Sequence, residues 1–355
     1  MNIREIRIHR TELGLTRPYT IAYRTVDHSE VIWAEVIADN GMVGIGAANP
    51  SPMVTGETID DTHASLRKFA NTFVGKSIYA IRDLSEGLLR TMVWPGARAV
   101  LDIAFHDLLG KLLDKPLVDM FGRRHKALPT SITIGIKGVD ETLEEALEYA
   151  GRGFLSLKVK LGHSLEEDIE RLAKLREHFG QKIHIRVDAN QGYSRSELQR
   201  FFQETADFEL ELIEQPLKFD DLEGMRQLPI HQKSLIAADE SIKSFQNALE
   251  LIRPEPACGI FNLKLMKSGG IYPAMQIADL ARHAGIRLMW GCNDESIVSI
   301  TAALHAAFAC PNTAFLDLDG SLDMATDIVS GGFILKDGML MIGHKPGLGL
   351  EKLAE

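Results

Sequence analysis

Cysteine is scarce, with three in 355 residues: Cys258, Cys292 and Cys310, none in CxxC spacing. That pattern excludes a disulfide framework and a cysteine-based zinc site, and points to reduced thiols in a cytoplasmic protein. Positive charge is not in excess either. The balance of 39 basic to 49 acidic residues, a net −10, argues against a nucleic-acid or anionic-membrane partner. No long apolar run exists. The richest, IVSITAALHAAFAC at 297–310, falls short of the roughly 18 residues of a membrane span and carries His305. It is predicted to be a buried helix. The opening MNIREIRIHR is charged throughout and reads as no secretory leader. Low-complexity segments are absent. What is present, 45% hydrophobic and 25% charged residues, suits an ordinary folded core, and the length allows about two domains.

Residues 1–48 read as strands, with Asp39-Asn40-Gly41 as a hairpin turn. Helical spacing follows from about 58 to 122, densest in ARAVLDIAFHDLLGKLLDKPLVDMFG, so this part is an α+β unit. From about 130 the pattern alternates strand and helix through SITIGI, FLSLKVK, IHIRVDAN, ELELIEQP, SLIAADES, GIFNLKL, IRLMWGC and AFLDLD. Asp188 to Glu214 is 26 residues; Glu214 to Asp239, Asp239 to Lys264 and Cys292 to Asp317 are 25 each. Eight strands at this period predict a parallel (β/α) barrel. Asp337-Gly338 marks a terminal hairpin that could return to the first unit. The expected division is 1–125 as the N-terminal part of an α+β domain, 126–324 as the barrel and 325–355 as the return to the first domain.

In a parallel barrel the C-terminal strand ends converge on one face. Asp188, Glu214 and Asp239 end three successive strands. Facing carboxylates repel one another unless a cation joins them, and an all-oxygen set suits Mg²⁺, with Mn²⁺ as a substitute, better than zinc. The competing explanation is that each acid caps the next helix. Lys158 and Lys160 share a face as positions i and i+2, and Lys264 ends the sixth strand, nearly opposite. A lysine on each side of a metal site suits two-base proton transfer at carbon. Neighbouring cations and burial are expected to lower the lysine pKa values for that role. Asp317 and Asp319 form a second same-face pair, whose partner is either a substrate ammonium or Lys158. Cys292 has no histidine partner by motif and is taken as pocket lining. Gly41, Gly44 and Gly46 do not form a GxGxxG, and GxSxG and GxxxxGKS are missing.

KVK at 158–160, VDANQGY at 187–193, IEQP at 213–216, ADES at 238–241 and NLKLMKSGG at 262–270 together resemble the enolase superfamily, in its muconate-lactonizing-enzyme group. PGLGL at 346–350 extends the likeness nearly to the end of the chain. The resemblance implies a modified TIM barrel, (β/α)7β, under an α+β capping domain. It implies Asp188, Glu214 and Asp239 as Mg²⁺ ligands and Lys160 and Lys264 as general bases. Lys158 would bind the substrate carboxylate or enolate.

Within that group, Asp317-Leu318-Asp319 is similar to the dipeptide epimerases, which hold a free α-ammonium there. The implied reaction inverts the C-terminal residue of a dipeptide through an enediolate. Arg24 and Thr133 stand at substrate-contacting positions of the family. Alternatives are an N-acyl amino acid racemase, or a muconate cycloisomerase or o-succinylbenzoate synthase type of lyase; a non-enzymatic scaffold would require a lost ligand or lysine. The segment Asn293-Asp294-Glu295 departs from the usual apolar contact and points to cationic dipeptides, Asp294 foremost. Arg24 argues the other way unless a cap-domain acid such as Glu57 pairs with it. The expected partner is a small-molecule dipeptide, with no nucleic acid or membrane, in a homo-oligomer.

Overall fold

A computed structural model describes residues 1–21 and 24–353, with the side chains of 17–27 outside the description. The chain opens with β1 (Ile3–Ile21), β2 (Arg24–Ala38) and β3 (Val43–Ala48), an antiparallel sheet in sequential order. The predicted turn joins β2 to β3. Helices α1 (Ile59–Phe69), α2 (Ile81–Thr91), α3 (Pro95–Leu112) and α4 (Leu117–Phe121) follow. α3 is buried over nearly its whole length because it lies between this sheet and the barrel. Its contact explains two glycines that bind no nucleotide. A Cβ on Gly46 would meet the Val100 carbonyl oxygen at 2.0 Å, and one on Gly44 the Ala104 oxygen at 2.2 Å.

After β4 (Ala127–Pro129) come the barrel strands β5 (Ile132–Ile134), β6 (Ser156–Lys160), β7 (His184–Asp188), β8 (Leu212–Glu214), β9 (Ile236–Ala238), β10 (Ile260–Leu263), β11 (Arg287–Gly291) and β12 (Thr313–Asp317). They form one eight-stranded sheet in sequential order, every ladder parallel. A parallel bridge from Thr130 to Leu316 closes the ring. The helical connections are α5 (Val139–Gly151), α6 (Leu165–Phe179), α7 (Arg195–Glu204), α8 (Leu222–Arg226) with α9 (Ile230–Lys233), α10 (Phe245–Ile252), α11 (Leu265–Ser268) with α12 (Ile271–His283), and α13 (Ile297–Ala309). Seven helical crossings between eight strands make the expected (β/α)7β barrel. α13, the apolar run noted above, is buried from Val298 onward.

Strand alternation sorts the barrel interior into layers. Leu212, Ala237, Ile260, Met289 and Phe315 form a small apolar cluster of their own. Two residues on from the first two lie Glu214 and Asp239; from Phe315, Asp317; from Ile260, Asn262 and then Lys264. The inward face of each strand thus runs from an apolar floor to a polar mouth.

The last segment contains β13 (Val329–Gly331), β14 (Phe333–Lys336), β15 (Met339–Ile342) and β16 (Leu350–Lys352). The hairpin at Asp337-Gly338 forms, both residues at positive φ, as a two-residue turn of that kind requires. It does not pair with the N-terminal sheet: β15 pairs with β4 at the entrance to the barrel, and Gly338 lies against Phe154. Residues beyond it do reach the N-terminal elements. Asp107 on α3 accepts from Leu348 N at 2.8 Å and from Ile45 N at 2.9 Å, and Lys352 pairs with Glu35 at 3.0 Å.

Candidate active site

Asp188, Glu214 and Asp239 stand side by side at the mouth, on β7, β8 and just past β9, each at most 4% exposed. They are not helix caps. Ser194 caps α7, Asp221 caps α8 and Ser244 caps α10, so the first-turn N–H groups already have acceptors. Lysines flank the three acids. Lys160 Nζ donates to Asp188 at 2.6 Å, and Lys264 Nζ to Asp239 at 2.9 Å. Since Lys160 ends β6 and Lys264 follows β10, the two amines approach the β7–β9 arc from opposite sides. Lys158 Nζ lies 3.2 Å from Asp188, 2.8 Å from Glu214 and 2.8 Å from Asp317.

Three like charges in one buried place separate in proton affinity. Burial and the neighbouring Asp188 push Glu214 up to about 8. Burial would also raise Asp188, but Lys160 and Lys158 bring it to about 2. Asp239 is held well below the usual range, against the pull of burial, by Lys264 and Lys267. The lysines differ from expectation. Despite burial, Lys158 and Lys264 are raised, by Asp317, Glu214 and Asp188 in one case and by Asp239 and Glu214 in the other. The expected lowering is for carboxylates neutralised by a metal; here the carboxylates themselves face the amines and hold the protons on them.

A divalent cation fits this donor set. All donors are hard oxygens, and Glu214 Oε2 is buried without a hydrogen bond, since the Lys158 ammonium at 2.8 Å is out of alignment. No three Asp, Glu, His or Cys side chains among the described residues stand in a ligating arrangement as they are; the lysine ammoniums take up the carboxylate oxygens.

Across the mouth, Asp317 and Asp319 have different surroundings. Asp317 is committed to Lys158 and to Ser131, whose Oγ donates to it at 2.7 Å. Asp319 accepts from the Thr133 backbone N–H at 2.7 Å, and the Cys292 thiol lies 3.9 Å away. Among the described residues no cation pairs with it. Burial and Asp317 push its carboxyl up to about 7. Burial and these two aspartates also raise the Cys292 thiol, so it stays protonated. Thr133, Cys292, Asp317 and Asp319 are therefore brought together.

Asp294 is half-buried, and its carbonyl accepts from Ser29 Oγ on β2 at 2.8 Å, tying this loop to the N-terminal sheet. Glu295 turns inward, fully buried, and accepts from Asn293 N at 2.9 Å. Glu57, the acid suggested as a partner for Arg24, lies inside the fold. It is completely buried and accepts from Gly96 N and Thr62 Oγ1, each at 2.7 Å. The Arg24 side chain lies outside the described residues.

Three site residues escaped the sequence reading. Lys267 is buried and donates to both the carboxylate and the carbonyl of Asp239. Asn262 Nδ2 donates to Glu214 at 2.8 Å. Gln215 Oε1 accepts from the Asp239 N–H at 3.0 Å. All three lie inside the NLKLMK and IEQP motifs, and Asn262 stands two residues before Lys264 on the inward face, which was a usable signal.

Residues 3–122 match the N-terminal domain of the mandelate racemase/muconate lactonizing enzymes, and residues 141–354 match the enolase C-terminal domain-like family. The chain is 51% identical to the L-Lys-D/L-Arg epimerase of Desulforapulum autotrophicum, over 99% of this chain and 100% of that one. It superposes with a TM-score of 0.96 on a crystal structure of a dipeptide epimerase from Methylococcus capsulatus, complexed with Mg and L-Arg-D-Lys, at 47% identity and 99% coverage of both chains. A substrate-liganded L-Ala-D/L-Glu epimerase from Bacillus subtilis gives a TM-score of 0.94 at 30% identity, each chain covered completely. With both parts matched, and with the barrel-mouth acids and lysines in place, the chain belongs to the mandelate racemase/muconate lactonizing enzyme family of the enolase superfamily.

Proposed function

We propose that this protein is a magnesium-dependent dipeptide epimerase that inverts the α-carbon of the C-terminal residue and prefers cationic dipeptides. The observation that carries the reading is the placement of Lys160 and Lys264 on opposite sides of the three-carboxylate arc. One amine takes the α-proton and the other returns a proton to the opposite face. Asp188, Glu214 and Asp239 would hold the metal. The chemistry a divalent cation supplies there is Lewis-acid stabilisation of a carboxylate gaining charge. Lys158, buried among acids and fully charged, adds a fixed positive charge for the same oxygens. Asp319, with Thr133 and Cys292 beside it, would take the substrate ammonium. The cationic preference is supported by the relative named for Lys and Arg and by the L-Arg-D-Lys complex of its Methylococcus counterpart. We extend the reading to Mn²⁺ as a substitute metal and to a cytoplasmic homo-oligomer; the three free cysteines agree with a reducing compartment.

The test is a dipeptide library incubated in D₂O and read by mass spectrometry and chiral analysis. Deuterium should enter the α-carbon of the C-terminal residue, with both epimers appearing. Lys160→Ala and Lys264→Ala should each stop epimerisation, while each still exchanges one stereoisomer. Wild-type epimerisation by both single variants would exclude two-base transfer.

A further inference from the structure

A buried network outside the substrate site grips the end of β6, the strand that carries Lys160. Arg171 on α6 donates through Nη1 to the Lys160 carbonyl at 3.0 Å and through Nη2 to Asp168. Asp168 in turn accepts from Gly162 N at 2.8 Å and from the Tyr193 hydroxyl at 2.6 Å. Tyr193 closes the VDANQGY motif, so the loops after β6 and β7 meet at one carboxylate. Asp168, Arg171 and Tyr193 are 0%, 2% and 5% exposed. Glycines lock the same loops together. Gly162 has φ +101°, a Cβ there would meet the Ala189 carbonyl oxygen at 2.3 Å, and one on Gly192 would meet the Gly162 oxygen at 2.5 Å. A buried Asp–Arg pair of this kind, joined by a neutral tyrosine hydroxyl, is costly to break. Although Arg171 Nε has no hydrogen-bond partner, its two Nη groups and both Asp168 oxygens are engaged.

None of these groups touches the other base. Lys264 is held by Asp239, and its carbonyl accepts from Ser268 Oγ at 3.2 Å. We propose that Asp168, Arg171 and Tyr193 are positioning residues for Lys160, acting on its face of the substrate and not on the face served by Lys264. This rests on the two-base reading above. The network fixes the backbone immediately after the Cα from which the Lys160 side chain extends, at the Lys160 carbonyl and at Gly162 N, and proton transfer is sensitive to misplacement of about 1 Å.

The experiment measures α-deuterium exchange separately for the two stereoisomers of one dipeptide in the metal-loaded enzyme. The isomer that still exchanges in Lys264→Ala reports Lys160, and the isomer that still exchanges in Lys160→Ala reports Lys264. Tyr193→Phe and Arg171→Lys should slow exchange at the Lys160 face by about tenfold, the cost of roughly one well-placed hydrogen bond. The Lys264 face should change less than about twofold. An equal fall at both faces, or no fall at either in both variants, overturns the proposal. Tyr193→Phe removes one hydroxyl and keeps the ring packed on Phe201, so it guards against misfolding of the arginine variant. If the native enzyme exchanges no dipeptide, the function is wrong, and amide hydrogen exchange then decides the positioning alone. Leu161 and Gly162 should exchange faster in Tyr193→Phe than in the native chain, and unchanged protection there overturns it.

Discussion

Lys158 and Asp317 meet at 2.8 Å across the closure of the barrel, joining its second strand to its eighth. A chain of contacts continues from Asp317 toward the floor. Ser131 Oγ donates to Asp317, Arg186 donates to Ser131 at 3.2 Å and to Glu211 at 2.7 Å, and His184 lies 3.2 Å from Glu211. Both oxygens of Asp317 are therefore engaged before any substrate arrives, whereas Asp319 meets Thr133 and the Cys292 thiol and, among the described residues, pairs with no cation. Asp317→Asn should destabilise the protein by about 1–3 kcal/mol, less than the loss of an isolated buried pair because Lys158 keeps two other carboxylates. Asp319→Asn should melt close to the native protein but raise KM for free dipeptides by at least about tenfold. Thermal melts set beside steady-state kinetics decide it, and a larger KM effect at Asp317 than at Asp319 would reverse the assignment.

The Asp319 carboxyl, raised to about 7 by burial and by Asp317, makes substrate capture depend on pH. A group whose folded pKa lies above its ordinary value of 3.8 contributes stability that is complete below that value and lost as pH rises through the folded one. Binding has the opposite sign, because an ammonium pairs with the ionised form. KM for a free dipeptide should fall as pH rises through about 7, while thermal stability declines over the interval from about 4 to 7. Glu295, also raised to about 7 by its burial, titrates in the same window. The control is therefore Asp319→Asn, in which the KM dependence should flatten. A native KM that does not move between pH 6 and 8 would count against Asp319 as the ammonium site.

Glu214 is the acid on which the metal assignment is most exposed. It is fully buried, its pKa is pushed up to about 8 by burial and by Asp188, and one of its oxygens lacks a hydrogen bond. Exhaustive chelation should abolish exchange, and Mg²⁺ or Mn²⁺ should restore it. Glu214→Gln should fold, since a carboxyl pushed up to about 8 is already largely neutral in the metal-free protein and an amide of the same size replaces it. It should lose calorimetric Mg²⁺ binding and slow turnover by about a hundred- to a thousandfold. Full activity after dialysis against EDTA would rule out the metal.

The barrel and most of its mouth were legible because parallel strands repeat at a fixed spacing and alternate faces. Once Asp188 is placed inward at a strand end, Glu214, Asp239 and Lys264 follow from 25- and 26-residue steps. Residues placed by the third dimension were not legible. Ser131 sits at the start of the first barrel strand and matters only because β12 closes beside it. Lys267 lies beyond its strand and returns to Asp239 through the short turn of α11. Glu57 looks like a loop acid, yet it is folded under the first turn of α3 as the acceptor for Gly96. Sequence shows which charges are present but not how close they stand: 2.6 to 3.2 Å for the amine–carboxylate pairs of Lys158, Lys160 and Lys264.

The preference for cationic side chains turns on Asp294. Within the acidic segment that suggests it, Glu295 is turned inward and accepts from Asn293 N. Asp294 is half-buried, on a loop held to β2 by the Ser29 contact. A carboxylate partly shielded from water favours a cation over a second anion, and a mismatched charge there costs more than it would in open solvent. The kcat/KM for Arg-Lys should exceed that for Ala-Glu by at least about tenfold, or roughly 1.4 kcal/mol. Asp294→Asn should reduce turnover of Arg-Lys, Ala-Lys and Lys-Ala while sparing an uncharged dipeptide, and the Ala-Lys and Lys-Ala pair shows which substrate residue it faces. Added salt should narrow the native preference only modestly, since a half-buried charge is screened less than an exposed one. A native kcat/KM for Ala-Glu above that of every cationic dipeptide would end the assignment. An Asp294→Asn variant that lowers all substrates equally would move Asp294 from specificity to loop structure.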